Sequence, residues 1–425
     1  MRISLWLLAL FAAAVAAALF AGKNPGSVTV FWPPYRIDLS LNLVLVLSLA
    51  AFLTLHLALR ALSALFAIPR EARMWRQRQR ERSMQLSLLD AYSQLIAGRF
   101  VRARKSAELV LGQVHNLAGS DDKLSYADQL LAISHLLAAE AAHALQDRSA
   151  RESHYRAALE HASRGVSPEA GEGARLRAAR WALDDRDATG ALQLLDDMGQ
   201  GASRRMLALR MRLKASRVAG RTVMALETAR LLAKHRALSQ VAAHGVLQGL
   251  ATELIRSAYD PAQLVQAWAR LEPAERVMPD VALAAAQRLL ELQGEPALSR
   301  EWLLPVWEQM LEQPGALAPS QRVELVRVLE LGFSGDTETL ADEWLTRIEN
   351  AQLSHPGDPV LHYLAGVTCM RLQLWGKARQ LLQQSLVRLQ DAGLRRDAWR
   401  QLAALAQEQG DTQAASDAWR SAAQA

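Results

Sequence analysis

The sequence predicts an all-α membrane protein, in which an N-terminal two-helix transmembrane hairpin is followed by an α-solenoid of helical hairpins. Three observations lead to this fold class. Two long charge-free apolar segments lie near the start of the chain, a run of arginines follows the second, and the remainder is rich in helix-forming residues in which one spacing of small residues recurs.

The first two predicted elements are apolar segments long enough to cross a bilayer. Ile3–Ala21 and Leu39–Leu59 carry no charged residue. A helix rises about 1.5 Å per residue, so about 20 residues cross roughly 30 Å of hydrocarbon. We therefore predict membrane spans over about 3–21 and 39–65, joined by a short periplasmic loop over 22–38.

Each span also allows a second interpretation. The small residues Ala16–Ala18 suit the cleavage site of a secretory signal peptide, although the apolar run is longer than the central region of such a peptide. His56, inside the second span, is either a functional intramembrane histidine or a side chain that reaches the headgroups about one turn from Arg60. We favour a true span and an interfacial histidine.

The distribution of positive charge predicts the orientation. The loop over 22–38 holds two positive charges, and its two adjacent prolines predict an extended turn at the membrane surface rather than a helix. Pro69 predicts a break where the chain leaves the bilayer, and a basic juxtamembrane segment follows over 70–82. Its arginines are Arg70, Arg73, Arg76, Arg78, Arg80 and Arg82. By the positive-inside rule, the N-terminus and the large C-terminal domain face the cytoplasm.

Charge and cysteine content exclude other classes of protein. Residues 1–82 hold ten lysines and arginines against three acids, and the chain totals +6, so residues 83–425 carry −1. A nucleic-acid-binding domain needs a basic face, which this balance does not predict. The single cysteine, Cys369, excludes an intrachain disulfide and a cysteine-based zinc site. The lipid bilayer and other proteins are the predicted partners.

Residues 83–425 form the predicted cytoplasmic helical-repeat domain. Alanine, leucine, arginine, glutamine and glutamate dominate it, and all are good helix formers. Clusters of glycine and proline predict breaks between helices. These clusters lie at 165–173, 199–201, 272–279, 313–315 and 355–359.

One spacing recurs within this domain. A small residue is followed by a turn residue seven positions on, a variable residue two further and an alanine three further, and such small residues let two antiparallel helices approach closely. The four occurrences are Ala91-Gly98-Phe100-Ala103, Ala179-Arg186-Ala188-Ala191, Gly366-Gln373-Trp375-Ala378 and Ala403-Gly410-Thr412-Ala415.

This spacing resembles the tetratricopeptide repeat. Gly220 and Ala225 continue it 34 residues after Arg186 and Ala191, and 34 is the repeat length of that family. Between about 230 and 350 the sequence shows no repeat register. Stacked hairpins of this kind leave a groove that binds peptides or protein surfaces, which predicts a scaffold or adaptor.

The sequence offers little catalytic chemistry. Gly171–Gly173 and Gly199–Gly201 lack the third glycine of a dinucleotide-binding loop. Four histidines lie at helical spacing on the two helices of one predicted hairpin, where neutral imidazoles could ligate a metal or haem iron. We favour solvated surface histidines near Glu152 and Glu160. We predict no catalytic residue and no metal site. The haem-ligand candidates are His135, His143, His154 and His161.

Several motifs point to one family. They are Gly26-Ser27-Val28-Thr29-Val30 and Pro34 to Leu41 around the loop, Arg73-Met74-Trp75-Arg76, Gly98-Arg99-Phe100 with Ala103-Arg104-Lys105, and Leu374 to Arg379. In these motifs the chain resembles the HemY-type inner-membrane proteins of proteobacteria. The resemblance implies a two-pass protein of the bacterial inner membrane that binds haem or organises haem-synthesis enzymes such as ferrochelatase. It transfers no catalytic residue.

Three functions follow as hypotheses. The first is a non-enzymatic scaffold associated with haem (porphyrin) biosynthesis that docks pathway enzymes and binds haem as its one expected cofactor. The alternative is a tetratricopeptide adaptor for envelope or lipopolysaccharide assembly control, but that family ends in a paired-cysteine metal module and this chain has one cysteine. An enzyme would need convergent polar groups in a pocket, and the flavin-dependent protoporphyrinogen oxidase that shares the family's name needs a dinucleotide fold.

Overall fold

The structure is a computed structural model that describes residues 11–15, 18, 22, 26–118, 126–164, 168–313, 315–333 and 343–425. The chain divides into two compact units, Met1–Ala170 and Gly171–Ala425. The domain limits that the sequence predicts, at 69 and 82, both fall inside one continuous helix and stay predictions.

The loop predicted as an extended turn is a β-hairpin. Strands β1 (Ser27–Trp32) and β2 (Tyr35–Ser40) pair antiparallel, with the two prolines between them. Strand β1 holds three β-branched residues in a row, Val28 to Val30, and the Thr29 hydroxyl donates to the Asp38 carboxylate at 2.6 Å across the pair. The described fold is therefore helical with one small two-stranded sheet, which corrects the all-α prediction.

The second predicted span begins a single long helix. Helix α1 runs over Leu41–Ile96, and the Ser40 hydroxyl caps it by accepting from the Leu43 amide at 3.3 Å. The helix starts at Leu41 rather than at 39, and it continues through Pro69, so the predicted break there is wrong. Proline removes one backbone hydrogen bond and can bend a helix, but flanking helix-forming residues carry the helix on.

Within the described residues, one helical segment is long and apolar enough to cross a membrane. It is Leu41–Leu62, with a mean hydropathy of 2.2. The predicted first span, 3–21, lies mostly outside the described residues, of which 11–15 and 18 are helical. The structure thus supports one apolar helix near the N-terminus, and the two-helix hairpin stays a prediction.

Helices make up the rest of the described chain. In order they are α2 (Phe100–Ala118), α3 (Ala127–Ala144), α4 (Arg148–Arg164), α5 (Pro168–Asp184), α6 (Ala188–Asp196), α7 (Gln200–Ser203), α8 (Met206–Val218), α9 (Thr222–Lys234), α10 (Gln240–Arg256), α11 (Pro261–Ala269), α12 (Pro273–Arg276), α13 (Pro279–Glu291), α14 (Pro296–Glu312), α15 (Pro319–Gly332), α16 (Leu345–Ser354), α17 (Pro359–Arg371), α18 (Trp375–Arg388), α19 (Ala392–Glu408) and α20 (Thr412–Gln424).

One type of turn joins many of these helices. At each of the four predicted turn positions the backbone has a positive φ, between 59° at Gln373 and 77° at Gly410. The amide of the next residue donates to the carbonyl five residues earlier, as in a Schellman C-cap. The same φ and hydrogen bond occur at further positions. In full they are Gly98, Gln146, Arg186, Gly220, Arg236, Gln293, Gln373 and Gly410.

This turn confirms the predicted repeat spacing and extends it. Gln293 places a repeat turn between α13 and α14, inside the interval where no register is visible in the sequence. The small residues of the spacing are buried where paired helices cross, with Ala91, Ala103 and Ala378 each 0% exposed. The architecture is therefore a series of tetratricopeptide-like helical hairpins.

The predicted helix breaks are confirmed near 199, 272–279, 313–315 and 355–359, where described helices end or begin. The break predicted over 165–173 is wrong in its second half, because α5 starts at Pro168 and contains Gly171 and Gly173. Proline is favoured in the first turn of a helix, and an interior glycine costs only about 1 kcal/mol.

Each unit has its own core. In the first unit, the buried side chains of Met84, Val110, Val114 and Leu130 join α1, α2 and α3. In the second unit, one apolar cluster runs from Ala225 in α9 to Ala418 in α20. Several tryptophans contribute to this core, and Trp268 and Trp302 stack within it with ring centroids 4.6 Å apart.

Candidate functional site

Three of the four candidate histidines meet at the interface between α3 and α4. His135 Nδ1 lies 3.0 Å from His154 Nδ1, and the rings of His135 and His161 stack with centroids 5.7 Å apart and planes inclined by 8°. His161 Nδ1 also lies 3.0 Å from Asp128 Oδ1. We refer to His135, His154 and His161 as the histidine cluster. Its side chains are half-buried, which corrects the solvated surface histidines that we favour from the sequence.

Burial sets the charge state of the cluster. Burial, with a smaller contribution from the neighbouring His154 and His161, lowers the pKa of His135 to about 4. Burial also lowers the pKa of His154. Both imidazoles are therefore neutral near pH 7. Since their Nδ1 atoms face each other at 3.0 Å, one ring carries its proton on Nδ1 and donates it to the other.

The fourth candidate, His143, lies apart from the cluster. Its Nδ1 is 2.9 Å from a guanidinium nitrogen of Arg151. Among the residues that the structure describes, no three histidine, cysteine, aspartate or glutamate side chains converge on a point that could hold one metal ion. Haem iron needs only one or two axial imidazoles. The His135–His154 contact uses both Nδ1 atoms, so a haem iron would have to approach the Nε2 atom of either ring.

The arginine segment lies on α1, beyond the apolar stretch. The side chains of Arg76, Arg78, Arg80 and Arg82 are exposed, which suits contact with water or headgroups. Arg70 and Arg73 are helical, but their side chains lie outside the described part of the structure. Cys369 is a buried core residue of α17, and burial raises the pKa of its thiol.

In the second unit, alternate helices pack side by side in a row formed by α10, α13, α15, α17 and α19. Charged and polar ties connect neighbouring members. Asp280 of α13 accepts from Gln248 of α10 and, at 2.6 Å, from Gln321 of α15. Arg322 of α15 pairs with Asp358, the N-cap of α17. These ties hold the row in register.

A groove of about 730 Å³ lies along α10, α13 and α15. Side chains of both charge signs line it, four acids and two arginines. We refer to it as the polar groove. It is lined by Gln248, Gly249, Thr252, Glu253, Arg256, Asp280, Ala284, Gln287, Arg288, Glu291 and Glu324. A surface of this kind, open and polar with fixed backbone geometry, suits an extended peptide rather than a small apolar ligand.

A second groove of about 440 Å³ adjoins it along α8. It is lined by Arg210, Leu213, Lys214, Arg217 and Val218 and by Glu253, which lines the polar groove too. When charges are summed over residues 83–425, acids elsewhere offset the cations of this groove. The sequence prediction therefore missed it. A local count would have found it, since Arg204 to Arg236 holds ten lysines and arginines against the single acid Glu227.

Comparisons with known proteins agree with the resemblance in the N-terminal region. The family model described as HemY protein N-terminus matches residues 26–146. These residues include the β-hairpin, the apolar helix and the hairpin of α2 and α3 up to the turn at Gln146. A comparison with curated proteins gave no match.

Solved structures resemble the chain at low similarity. The APC/C hetero-tetramer Cut9–Hcn1 has a TM-score of 0.28 at 15% identity, over 80% of this chain and 66% of that one. The structure of Naa15/Naa10 bound to HypK-THB has a TM-score of 0.24 at 13% identity, over 76% of this chain and 56% of that one. The TPR domain of P58(IPK) has a TM-score of 0.23 at 13% identity, over 77% of this chain and 99% of that one. The chain thus spans two thirds or less of the first two.

The assignment of the repeats rests on the turns and packing of the chain itself. The Schellman turns recur from Gly98 to Gly410, and the first of them fall within the residues that match the family model. Residues 26–146 match the HemY N-terminal family model, and tetratricopeptide-like helical hairpins follow one another along the described chain.

Proposed function

We propose that this protein is a non-catalytic, membrane-anchored scaffold that docks enzymes of haem biosynthesis, ferrochelatase among them, at a bacterial inner membrane. The observation that carries the proposal is helix α1. It joins the apolar segment Leu41–Leu62 to the first repeat hairpin without interruption, from Leu41 to Ile96. The first repeat hairpin is therefore attached directly to the helix proposed to anchor the chain in the bilayer.

The same helix supports a cytoplasmic position for the repeats. Four exposed arginines follow its apolar part, at Arg76, Arg78, Arg80 and Arg82, and positive charge is retained on the cytoplasmic side. The β-hairpin then lies on the outer face, with Trp32 and Tyr35 exposed by 72% and 70%. Amphipathic aromatic side chains are enriched at that interface.

Cysteine labelling tests this topology. Cys369 is 0% exposed and burial raises the pKa of its thiol, so the natural chain reacts little with maleimides. In spheroplasts, a membrane-impermeant maleimide should label Tyr35→Cys directly and Arg78→Cys only after permeabilisation. The reverse pattern would contradict the proposed orientation.

The polar groove is the proposed docking surface for pathway enzymes. A photo-crosslinking amino acid at Thr252, inside the groove, is compared with the same group at Val387, which is 80% exposed on α18. We expect crosslinks to ferrochelatase or another tetrapyrrole-pathway enzyme from Thr252 and not from Val387. Membranes that yield no such enzyme at either position would reject the proposal.

Haem binding by the histidine cluster is a second proposal. It is supported by the juxtaposition of His135 with His154 and His161 at ring distances of 5.3 and 5.7 Å. Haem titration of the full-length protein in detergent, followed by visible absorbance, should show saturable binding that His135→Phe and His154→Phe weaken. His143→Phe is the matched control, since His143 lies outside the cluster. Diffuse, non-saturating absorbance changes would contradict haem binding by the cluster and would not affect the docking proposal.

A further inference from the structure

Helix α8 exposes three cations on one face. Arg210, Lys214 and Arg217 follow one another at i, i+4 and i+7, and all three are exposed. We refer to them as the basic stripe. Apolar side chains border it, with Leu207 54% and Val218 61% exposed. The three cations therefore span about 10 Å of helix surface, with an exposed apolar side chain at either end.

Intramolecular contacts do not neutralise the stripe. Within the described chain, the side chains of Lys214 and Arg217 make no hydrogen bond or ion pair. The side chain of Arg210 donates only to the Ala237 carbonyl, at 3.1 Å. The acid that lines the same groove, Glu253, accepts from the Thr222 hydroxyl at 3.2 Å. Like charges at i, i+4 destabilise a helix slightly, so folding alone gives no reason for this arrangement.

Several other cations of the second unit pair with acids of this chain. Arg230 of α9 donates to the buried carboxylate of Glu275 at 2.6 Å, and Arg212, on another face of α8, pairs with Asp196 at 2.8 Å. The basic stripe differs because it lines a groove and, among the described residues, pairs with no acid. Solvent ions or the acidic groups of a bound partner supply its counter-charge.

We propose that the basic stripe binds an acidic segment of a partner protein, in which glutamate or aspartate alternates with apolar side chains. The proposal rests on the docking function and names the chemistry of the docked segment. Carboxylates would pair with Lys214 and Arg217, and apolar side chains would cover Leu207 and Val218. Because Glu253 and the other acids of the polar groove adjoin the stripe, the groove disfavours a longer polyanion such as nucleic acid.

Fluorescence anisotropy with defined probes tests the proposal on the full-length chain in detergent. The probes are a labelled peptide of Glu-Glu-Leu repeats, its Lys-Lys-Leu counterpart and an oligothymidylate. We expect saturable binding of the acidic peptide that weakens with salt. The double variant Lys214→Glu, Arg217→Glu should bind it about tenfold less tightly, a loss of about 1.4 kcal/mol.

A matched variant controls for net charge. Arg395→Glu, Arg396→Glu on α19 makes the same change in charge at exposed positions, away from the stripe, and should leave the affinity unchanged. Equal binding by natural chain and stripe variant would overturn the proposal, as would tighter binding of the oligothymidylate. If the Thr252 crosslink to a pathway enzyme persists in the stripe variant, docking stands and only the acidic-segment proposal fails.

Discussion

The hairpins α3–α4 and α17–α18 have the same turn and different interiors. Gln146 and Gln373 hold φ values of 60° and 59° at their turns, and each is followed by the same Schellman hydrogen bond, of 2.9 Å. Between α3 and α4, however, lie the imidazoles of the histidine cluster. Between α17 and α18, Gly366 lies closely against Leu382.

The difference separates what forms a hairpin from what it can do. The turn and the small residues position the two helices, and alanines such as Ala138 and Ala158 are buried beside the histidines as Ala378 is in the α17–α18 hairpin. The remaining interface positions are free to vary. In the α3–α4 hairpin they hold the three histidines of the cluster, whereas in the α17–α18 hairpin they include the close contact of Gly366 with Leu382.

The largest expected effect comes from filling the contact at Gly366. A Cβ there would lie 2.7 Å from Leu382 Cγ and 3.2 Å from the Leu382 amide nitrogen, so α17 and α18 would have to move apart. We expect Gly366→Ala to destabilise this hairpin by about 2–3 kcal/mol. The thermal midpoint of the purified protein and hydrogen exchange over 359–388 measure the loss.

Gly376→Ala is the matched control on the neighbouring helix. A Cβ added at this position in α18 would meet no atom within 4 Å, and alanine is the better helix former by about 1 kcal/mol. The substitution should therefore be neutral or stabilising. A Gly366→Ala protein as stable as Gly376→Ala would show that close approach does not hold this hairpin together.

A smaller loss is expected at the polar contact of α17. Tyr363 is 0% exposed, and its hydroxyl donates to Glu330 at 2.8 Å. Burial raises the pKa of Glu330, while the tyrosine hydrogen bond opposes that rise. Tyr363→Phe leaves the carboxylate without this donor and should cost about 1–2 kcal/mol.

The pH dependence of the stability loss in Tyr363→Phe distinguishes a lost hydrogen bond to Glu330 from lost packing. An acid whose pKa is raised in the folded state destabilises the fold as pH rises through that pKa. The deficit of Tyr363→Phe should therefore shrink below the ordinary glutamate pKa of 4.5, in chemical unfolding at two pH values. Tyr259→Phe, at an 82% exposed tyrosine, should show no deficit at either.

The histidine hairpin should respond to acid in the opposite sense. Burial, with His154 and His161, lowers the pKa of His135 from its ordinary 6.5 to about 4. The unfolded chain then takes up a proton first as pH falls, so this contribution to stability is complete above about 6.5 and is lost toward 4. His135→Phe should reduce the fall in thermal midpoint of the first unit between pH 7 and 5. His115→Gln, at an exposed histidine, should not.

The sequence predicted the parts of this comparison that depend on local spacing. Gly98, Arg186, Gln373 and Gly410 were identified because small residues flank them at fixed distances, and each adopts a positive φ. Gln146 and Gln293 escaped because their flanking residues include Arg151 and Leu298 in place of alanine. The spacing of the histidines could not show that His143 contacts Arg151 and lies apart from the cluster, because that contact depends on side-chain conformation.

The smallest effect tests whether the turn really is common to both hairpins. A non-glycine residue at positive φ is strained, and glycine relieves that strain at the cost of greater freedom in the unfolded chain. Gln146→Gly and Gln373→Gly should each stabilise their hairpin by about 0.5 kcal/mol, whereas Gly220→Ala should destabilise by about 1 kcal/mol at a φ of 66°. Hydrogen exchange of the flanking helices measures each change. Equal gains at both glutamines, despite the different interiors of the two hairpins, would establish that the turn acts independently of what the helices enclose; unequal gains would mean that the interior also sets the turn.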